Sequence, residues 1–339
     1  MKRLSLQNCF RLAAVCFSPL VIVAVLVLMA GLFAGQATAQ TRRFTATPLT
    51  PQGTISAPQK AQGQPSQGAP RGPASTTPVP RNPLLPAGPC DVTIAPGLSP
   101  AGYLPLSLFG IVPVPGVGDD TVTNFVVPSF PFAGENFTSV GFSSNGYVIV
   151  GGTTGAADNQ FVNQFFPDPN RPNNVLAPYW ADLNPAAGGA LRIGILTDGM
   201  DNWIVCDWEN VAYFAGVGTV SFQVWIGVNG DTHPGEDITY VYGTIQNAGT
   251  HALTVGAENK FGSRGQNSYF NNLFDPATGT LPVGNTTELR VTGGQANLPI
   301  CGMVTIVCPG SLTKFTDSGQ FTATVNPGVP VATAEFGLQ

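Results

Sequence analysis

Short apolar runs alternate with turn-forming clusters of Gly, Pro, Asn and Asp from Cys90 to about Leu298. The run 220–228 shows the pattern most clearly, because every second side chain is apolar and shares one face of a strand: Val220, Phe222, Val224 and Ile226. Trp225 points to the opposite face. A period of two is typical of a strand that buries one face in a core.

The same criteria predict nine strands, and no long segment has the 3.6-residue period of a helix. The predicted strands are Thr121–Val127, Ser139–Phe142, Tyr147–Val150, Leu191–Leu196, Trp203–Trp208, Val220–Val228, Ile238–Tyr242, Leu253–Glu258 and Glu288–Val291. Many short strands separated by turns favour an all-β fold, a β-sandwich of mainly antiparallel strands over residues 90–298. A short cysteine-bearing tail follows over 299–339, with a hairpin predicted between Gln320–Val325 and Val329–Phe336.

Residues 1–39 have the pattern of a secretory signal peptide. Lys2 and Arg3 precede an apolar stretch that is strongest over Leu20–Phe33, and small residues before Gln40 suit cleavage there. The alternative is an uncleaved membrane anchor over Leu12–Gly35. We therefore expect a secreted, extracellular protein, or one that stays anchored in the membrane at the cell surface.

Residues 40–89 consist mainly of Pro, Gln, Thr, Ser, Ala and Gly. A segment with so few large apolar residues buries too little surface to offset its conformational entropy. This composition predicts a disordered, partly polyproline-like spacer.

Charge is unevenly distributed. All 19 acidic residues lie at or after Asp91, where only six of the 14 basic residues occur, so the chain from Cys90 onward has a net charge of −13. Such an acidic region would repel phosphates, which argues against nucleic acid as a partner. The expected partner is an extracellular protein or a polysaccharide, and a membrane only if the anchor is retained.

Four cysteines remain after signal cleavage: Cys90, Cys206, Cys301 and Cys308. Export permits disulfides, and four cysteines allow three pairings. Cys206 lies in an apolar run and is also compatible with a buried free thiol. With no CxxC pair and only two histidines in the chain, the sequence does not favour a zinc site.

An ordered series of motifs points to a protein family more specifically than the amino-acid composition does. Its members are Ser143–Tyr147 (SSNGY), Asn163–Pro167 (NQFFP), Asn173–Asp182 (NNVLAPYWAD), Trp203–Glu209 (WIVCDWE), Ser221–Trp225 (SFQVW) and Val255–Gly262 (VGAENKFG). The series resembles the non-catalytic C-terminal β domain of secreted bacterial subtilisin-like serine proteases, and more loosely nidogen-type extracellular domains. The resemblance implies an accessory module without a protease domain, because no set of Asp, His and Ser motifs for a catalytic triad is present.

Calcium is the cofactor that the acidic loops make possible, since it binds several oxygens on flexible loops. The candidate ligands are Asp198 and Asp201 in one loop and Asp231 and Asp237 in another, with Asp119-Asp120 as a third acidic pair. Acidic turns also occur without metal. Asp182 is expected to accept backbone hydrogen bonds in a turn.

Two further groups of residues are candidate functional sites, and a purely structural role is the alternative for each. Trp225, together with Tyr179, is a candidate exposed face for stacking on sugar rings, although most tryptophans in a sandwich are buried. Asp207 and Glu209, with Asp182, are a candidate carboxylate set for a hydrolase. The alternative for Asp207 and Glu209 is a solvent face opposite buried Ile204, Cys206 and Trp208.

The sequence as a whole favours a secreted or cell-surface, non-enzymatic interaction module. An extracellular hydrolase with paired carboxylates and a structural component of the envelope are the alternatives.

Overall fold

A computed structural model describes residues 43–56, 91–228, 238–248, 251–271, 273–274, 281–293, 304–307 and 331–334. The predicted signal peptide, residues 57–89 and most of the cysteine-bearing tail lie outside these ranges. Within the described ranges, no helix is both long and apolar enough to cross a membrane.

The described chain is almost entirely β-structure, interrupted by two single turns of 3-10 helix at Leu106–Phe109 and Ala156–Asp158. Its strands are β1 (Thr45–Pro48), β2 (Pro51–Ser56), β3 (Thr93–Pro96), β4 (Thr121–Phe132), β5 (Glu135–Ser143), β6 (Val148–Val150), β7 (Val175–Trp180), β8 (Leu183–Asn184), β9 (Ala190–Thr197), β10 (Asn202–Tyr213), β11 (Thr219–Gly227), β12 (Ile238–Ile245), β13 (Thr254–Glu258), β14 (Gly265–Phe270), β15 (Leu273–Phe274), β16 (Glu288–Thr292), β17 (Val304–Val307) and β18 (Val331–Ala334).

Sixteen of these strands form two eight-stranded antiparallel sheets. Sheet I has the order β1-β9-β10-β11-β12-β16-β3, and β8 also pairs with β10. Sheet II has the order β15-β14-β13-β7-β6-β5-β4-β2. The two sheets pack face to face, so the predicted β-sandwich is confirmed.

All nine predicted strands are present, and several extend further than the sequence pattern indicated. Strand β10 continues past Trp208 to Tyr213 through a register shift between Trp208 and Val211, where Asn210 adopts a positive φ of 54°. Strand β7 was not among the predicted strands because its sequence, Val-Leu-Ala-Pro-Tyr-Trp, has no alternation of apolar and polar residues, and all six residues are buried. A strand buried on both faces loses the period-two alternation that reveals strands in a sequence.

The main hydrophobic core lies between the two sheets. It contains the predicted apolar face of β11, and Phe222 stacks on Trp208 with a ring-centroid distance of 4.7 Å. Phe142 of sheet II meets Trp208 edge-on at 4.5 Å, so aromatic rings join the sheets across the core.

The outer face of each sheet is also covered. On sheet I, Trp203, Val205 and Trp225 form a second apolar cluster with Leu106 and Ile111 from the segment that precedes β4. On sheet II, a third cluster lies on the face away from sheet I: Val122, Tyr147, Ile149, Phe166, Val175, Ala177 and Trp180. Both sheets are therefore buried on two sides over much of their area.

The predicted disordered spacer is wrong for residues 45–56. Strand β1 pairs with β9 at one edge of sheet I, and β2 pairs with β4 at one edge of sheet II. Edge strands gain backbone hydrogen bonds even when their side chains bury little, and proline is tolerated there. Composition therefore underestimated the order of this segment.

Of the predicted tail hairpin, the structure describes only part of the second strand. Strand β17 (304–307) is the partner of β18 (331–334), in antiparallel register. Gln320–Val325, the expected partner, lies outside the described residues. Among the four cysteines that follow residue 39, Cys206 is described. It is a buried free thiol, which was one of the two expectations for it. Cys90, Cys301 and Cys308 lie outside the described residues, so their pairing stays open.

Candidate functional site

Three carboxylates meet where loops converge at one end of sheet II. Asp119 and Asp120 immediately precede β4, and Asp182 lies between β7 and β8. Their residues are 5%, 5% and 3% exposed. One carboxylate oxygen from each lies within 4.8 Å of the other two. We call Asp119, Asp120 and Asp182 the acidic cluster.

Asn145 joins the loops of the acidic cluster. Its Nδ2 donates to Asp120 Oδ1 at 2.8 Å, and its Oδ1 accepts the Leu183 N–H at 3.0 Å. The side chain therefore bridges the loop before β4 and the residue after Asp182. Since Asn145 is fully buried, both hydrogen bonds are shielded from water.

Ser144 fixes the same loops through its hydroxyl group. Its Oγ accepts the Thr121 N–H at 2.9 Å and donates to the Asp119 carbonyl. Gly146, two residues after Ser144, has φ +80°. It lies so close to β7 that an added Cβ would be 1.9 Å from the Tyr179 carbonyl oxygen. The Ser-Asn-Gly part of the SSNGY motif thus has a specific structural role at each position.

Asn159 brings a fourth segment to the acidic cluster. Its Nδ2 donates to the Asp120 carbonyl at 2.8 Å. The preceding residue, Asp158, accepts from Arg171 Nε at 2.7 Å and from the Thr154 N–H at 2.9 Å. These bonds hold the single turn of 3-10 helix that presents Asn159.

Two buried neutral oxygens belong to residues that adjoin Asp120, one by hydrogen bond and one in sequence. Asn159 Oδ1 and Thr121 Oγ1 are both buried, and neither has a hydrogen-bond partner among the described residues. The donors at this place are oxygens, which suit hard cations such as Ca²⁺ and Mg²⁺. Zn²⁺ prefers nitrogen and sulfur ligands. Chemically, the cluster suits a cation, since buried like charges repel one another unless a counter-charge is present.

A protein-family profile described as NIDO related matches residues 104–295, which is more than half of the chain. The chain belongs to the NIDO-related family. No curated protein and no solved structure matches this chain. The match confirms the looser resemblance to nidogen-type domains, and it includes the whole acidic cluster.

The NIDO-related domain buries both residues of the predicted sugar-binding face. Trp225 is 0% exposed and packs edge-on against Phe44 at 5.8 Å and Trp203 at 6.1 Å. Tyr179 is 0% exposed, with its hydroxyl 2.6 Å from that of Tyr213. The prediction of an exposed stacking face is therefore wrong. Trp225 does point away from the main core, but a second apolar layer covers it.

Of the predicted calcium ligands, Asp198 and Asp201 lie in the turn between β9 and β10. Asp198 Oδ1 accepts the Met200 N–H at 3.0 Å and the Asp201 N–H at 2.9 Å, so this carboxylate caps its own turn. Asp231 and Asp237 lie outside the described residues. Calcium binding at these two loops stays a prediction, whereas the third acidic pair, Asp119-Asp120, is part of the acidic cluster.

The predicted carboxylate pair lies opposite Ile204, Cys206 and Trp208 as expected, but beneath protein rather than at a solvent face. Asp207 is 0% exposed and accepts the Leu106 N–H at 2.9 Å. Burial raises the pKa of Asp207 to about 7. Glu209 is held by Arg192 Nε at 2.9 Å and by Ser107 Oγ at 2.6 Å. The 3-10 turn 106–109 thus covers both carboxylates.

A shallow hollow lies elsewhere on the surface. Its walls include Glu135, Phe137, Asn174 and Lys260, and none of Asp182, Asp207 or Glu209 lines it. The ammonium group of Lys260 pairs with Glu135 at 2.6 Å. The hollow is therefore unrelated to the carboxylates considered for hydrolysis.

Proposed function

We propose that this NIDO-related chain is an exported, non-enzymatic interaction module that binds an extracellular protein or polysaccharide. The observation that carries the proposal is the family match over residues 104–295, because it supports the resemblance to nidogen-type domains, for which an extracellular role is the expectation. The predicted signal peptide over residues 1–39 supports export.

The burial of the carboxylates supports the non-enzymatic part of the proposal. A glycosidase needs two carboxylates that flank an accessible bond, one of them with room for water. The Asp207 carboxylate is not open to solvent, because it lies beneath Leu106 and accepts the Leu106 N–H. Glu209 forms a salt bridge with Arg192. One property favours the hydrolase alternative, since the pKa of about 7 at Asp207 would suit a general acid.

The experiment uses the full chain, produced with export and purified from the medium. Binding to immobilised extracellular proteins and polysaccharides is measured by biolayer interferometry, and the same preparation is assayed for release of sugars and peptides. Saturable binding without turnover is the expected result. Turnover that disappears in an Asp207→Asn, Glu209→Gln double variant would establish the hydrolase instead, and export with neither binding nor turnover would favour the structural component of the envelope.

The finer part of the proposal concerns the partner and the location. The motif series resembles the β domain of subtilisin-like proteases, so an exported protease that lacks such a domain is the first partner to test. Mass spectrometry of the N-terminus decides the location: a chain that starts at Gln40 is secreted. A chain that keeps residues 12–35 and sediments with membranes is anchored.

A further inference from the structure

We propose that the acidic cluster, completed by Thr121 and Asn159, is a calcium-binding site that locks the loops at one end of sheet II. The inference goes beyond the proposed function and does not depend on it, because cation binding is a property of the folded domain alone.

The carboxylates give the site its charge. Asp119, Asp120 and Asp182 place three carboxylate oxygens within 4.8 Å of one another inside the protein. Bringing like charges together in a low-dielectric interior is unfavourable unless a counter-charge is present. A divalent cation at the centre would be attracted by all three groups at once.

The two neutral oxygens are the independent observation that points to a ligand. Asn159 Oδ1 and Thr121 Oγ1 are buried and lack a hydrogen-bond partner among the described residues. Asn159 is held at Asp120, because its Nδ2 donates to the Asp120 carbonyl. Its Oδ1 belongs to the same amide group and therefore lies close to Asp120. Thr121 follows Asp120 directly. An unsatisfied buried oxygen costs about 1–3 kcal/mol, and a bound cation would remove that cost for both.

The chemistry of the donors selects calcium. Carboxylate, amide and hydroxyl oxygens are the ligands of Ca²⁺, which takes six to eight of them in flexible geometry. The three carboxylates would supply the first oxygens, Asn159 and Thr121 would add two more, and water would have to supply the remainder. Mg²⁺ demands a stricter octahedron and retains several waters, which fits a buried cluster poorly.

The proposed ion would act as a cross-link. Its ligands would come from the start of β4, the β7–β8 junction and the end of the 3-10 turn 156–158, which are separate in sequence. Hydrogen bonds of Asn145, Ser144 and Asn159 also join these segments. Calcium would therefore stabilise the loops at this end of sheet II against local opening.

Calcium binding to the chelator-treated full chain is measured by isothermal titration calorimetry and by a thermal shift. We expect saturable binding with a Kd of about 10⁻⁴ M or tighter, as in extracellular modules, and a rise in Tm with calcium. Tb³⁺ excited through Trp180, two residues from Asp182, gives a second readout that calcium should quench by competition.

The variants locate the site. Asp182→Asn and Asp120→Asn each remove one charge and are expected to weaken binding at least about tenfold. Thr121→Val keeps the shape of the side chain and removes only the hydroxyl, so it tests the site even where an aspartate variant fails to fold. Asp198→Asn is the matched control, since it makes the same chemical change in the β9–β10 turn.

Each outcome is decisive. Binding that survives Asp182→Asn and Thr121→Val but disappears in Asp198→Asn would place the calcium in the β9–β10 turn and overturn the proposal. Absence of heat, thermal shift and Tb³⁺ luminescence in the wild-type chain would also overturn it.

Discussion

At the scale of single residues, the SSNGY motif is the most informative part of the chain. Ser144, Asn145 and Gly146 each serve the junction between the loop before β4 and the end of β7 through a different property. Ser144 contributes a hydroxyl that bonds two backbone groups, and Asn145 contributes an amide that both donates and accepts. Gly146 contributes the absence of a side chain.

Replacement of Gly146 by alanine is expected to destabilise the domain severely. Its φ of +80° is left-handed, and a Cβ would lie 1.9 Å from the Tyr179 carbonyl oxygen, so the strand itself would have to move. Gly110→Ala is the matched control, because Gly110 has φ +72° and nothing within 4 Å of an added Cβ.

We expect Gly110→Ala to cost about 1 kcal/mol from conformation alone, and Gly146→Ala to cost several times as much. Urea denaturation of the two variants measures the difference. Equal losses in both would show that the close approach of Gly146 to β7 is not as tight as the structure has it.

The sequence alone could identify the participants in the acidic cluster but not their association. The pair Asp119-Asp120 belongs to one of three acidic loops in the sequence. The sequence predicts Asp182 only as an acceptor of backbone hydrogen bonds in a turn. Their meeting depends on the antiparallel register of β4, β5, β6 and β7, which no local pattern encodes. The prediction that Trp225 is exposed was wrong for a related reason. The alternation of residues showed which way its side chain points, but not what covers it.

At the scale of elements, strand identity followed from alternation wherever one face was more polar than the other. Strand β7 lacked that contrast, and β1 and β2 contain few large apolar residues. For β1 and β2, the hydrogen bonds come from strands β9 and β4, which are distant in sequence. A composition-based view of residues 45–56 therefore missed a tertiary effect.

Removal of residues up to Ser56 is expected to lower the stability of the domain. The truncation uncovers one edge of each sheet and removes Phe44, which contacts the rings of Trp203 and Trp225 at 6.0 and 5.8 Å. We expect a lower Tm, a red shift of tryptophan fluorescence and concentration-dependent self-association.

Phe44→Ala in the otherwise intact chain separates the two effects. This variant keeps both strands and loses the ring, at a cost of about 1–3 kcal/mol for a half-buried aromatic side chain. It is expected to reproduce the fluorescence shift but not the self-association, which size-exclusion chromatography measures. A truncated chain that stays monomeric with an unchanged Tm would contradict a structural role for β1 and β2.

At the scale of the whole molecule, two buried carboxyl groups give stability a pH dependence. Burial raises the pKa of Asp207 in sheet I to about 7 and that of Glu258 in sheet II to about 9. Both values lie above those of the unfolded chain, near 4. The folded state thus binds protons more tightly than the unfolded state.

The sign of the effect follows from linkage. The contribution of each carboxyl group to the free energy of unfolding is fully present below about pH 4. It is lost as the pH rises to the folded-state pKa, which is about 7 for Asp207 and about 9 for Glu258. We expect the free energy of unfolding to fall by a few kcal/mol between pH 5 and pH 9, measured by urea denaturation at fixed ionic strength.

Asp207→Asn and Glu258→Gln remove the titrating groups while keeping an acceptor for the Leu106 and Asp168 N–H groups. Each variant is expected to flatten part of the pH profile. A wild-type profile that rises from pH 5 to pH 9 would show that both groups are ionised in the folded state.

Strands β1 and β2 also have a consequence for turnover. They lie near the beginning of the described chain, and each protects an edge of a different sheet. An exopeptidase that trims the chain past Ser56 would open both sheets in a single passage, without cutting inside the sandwich. The lifetime of the domain is thus tied to the accessibility of a short stretch that contributes little to its core, and anything that binds this stretch would slow the degradation of the whole molecule.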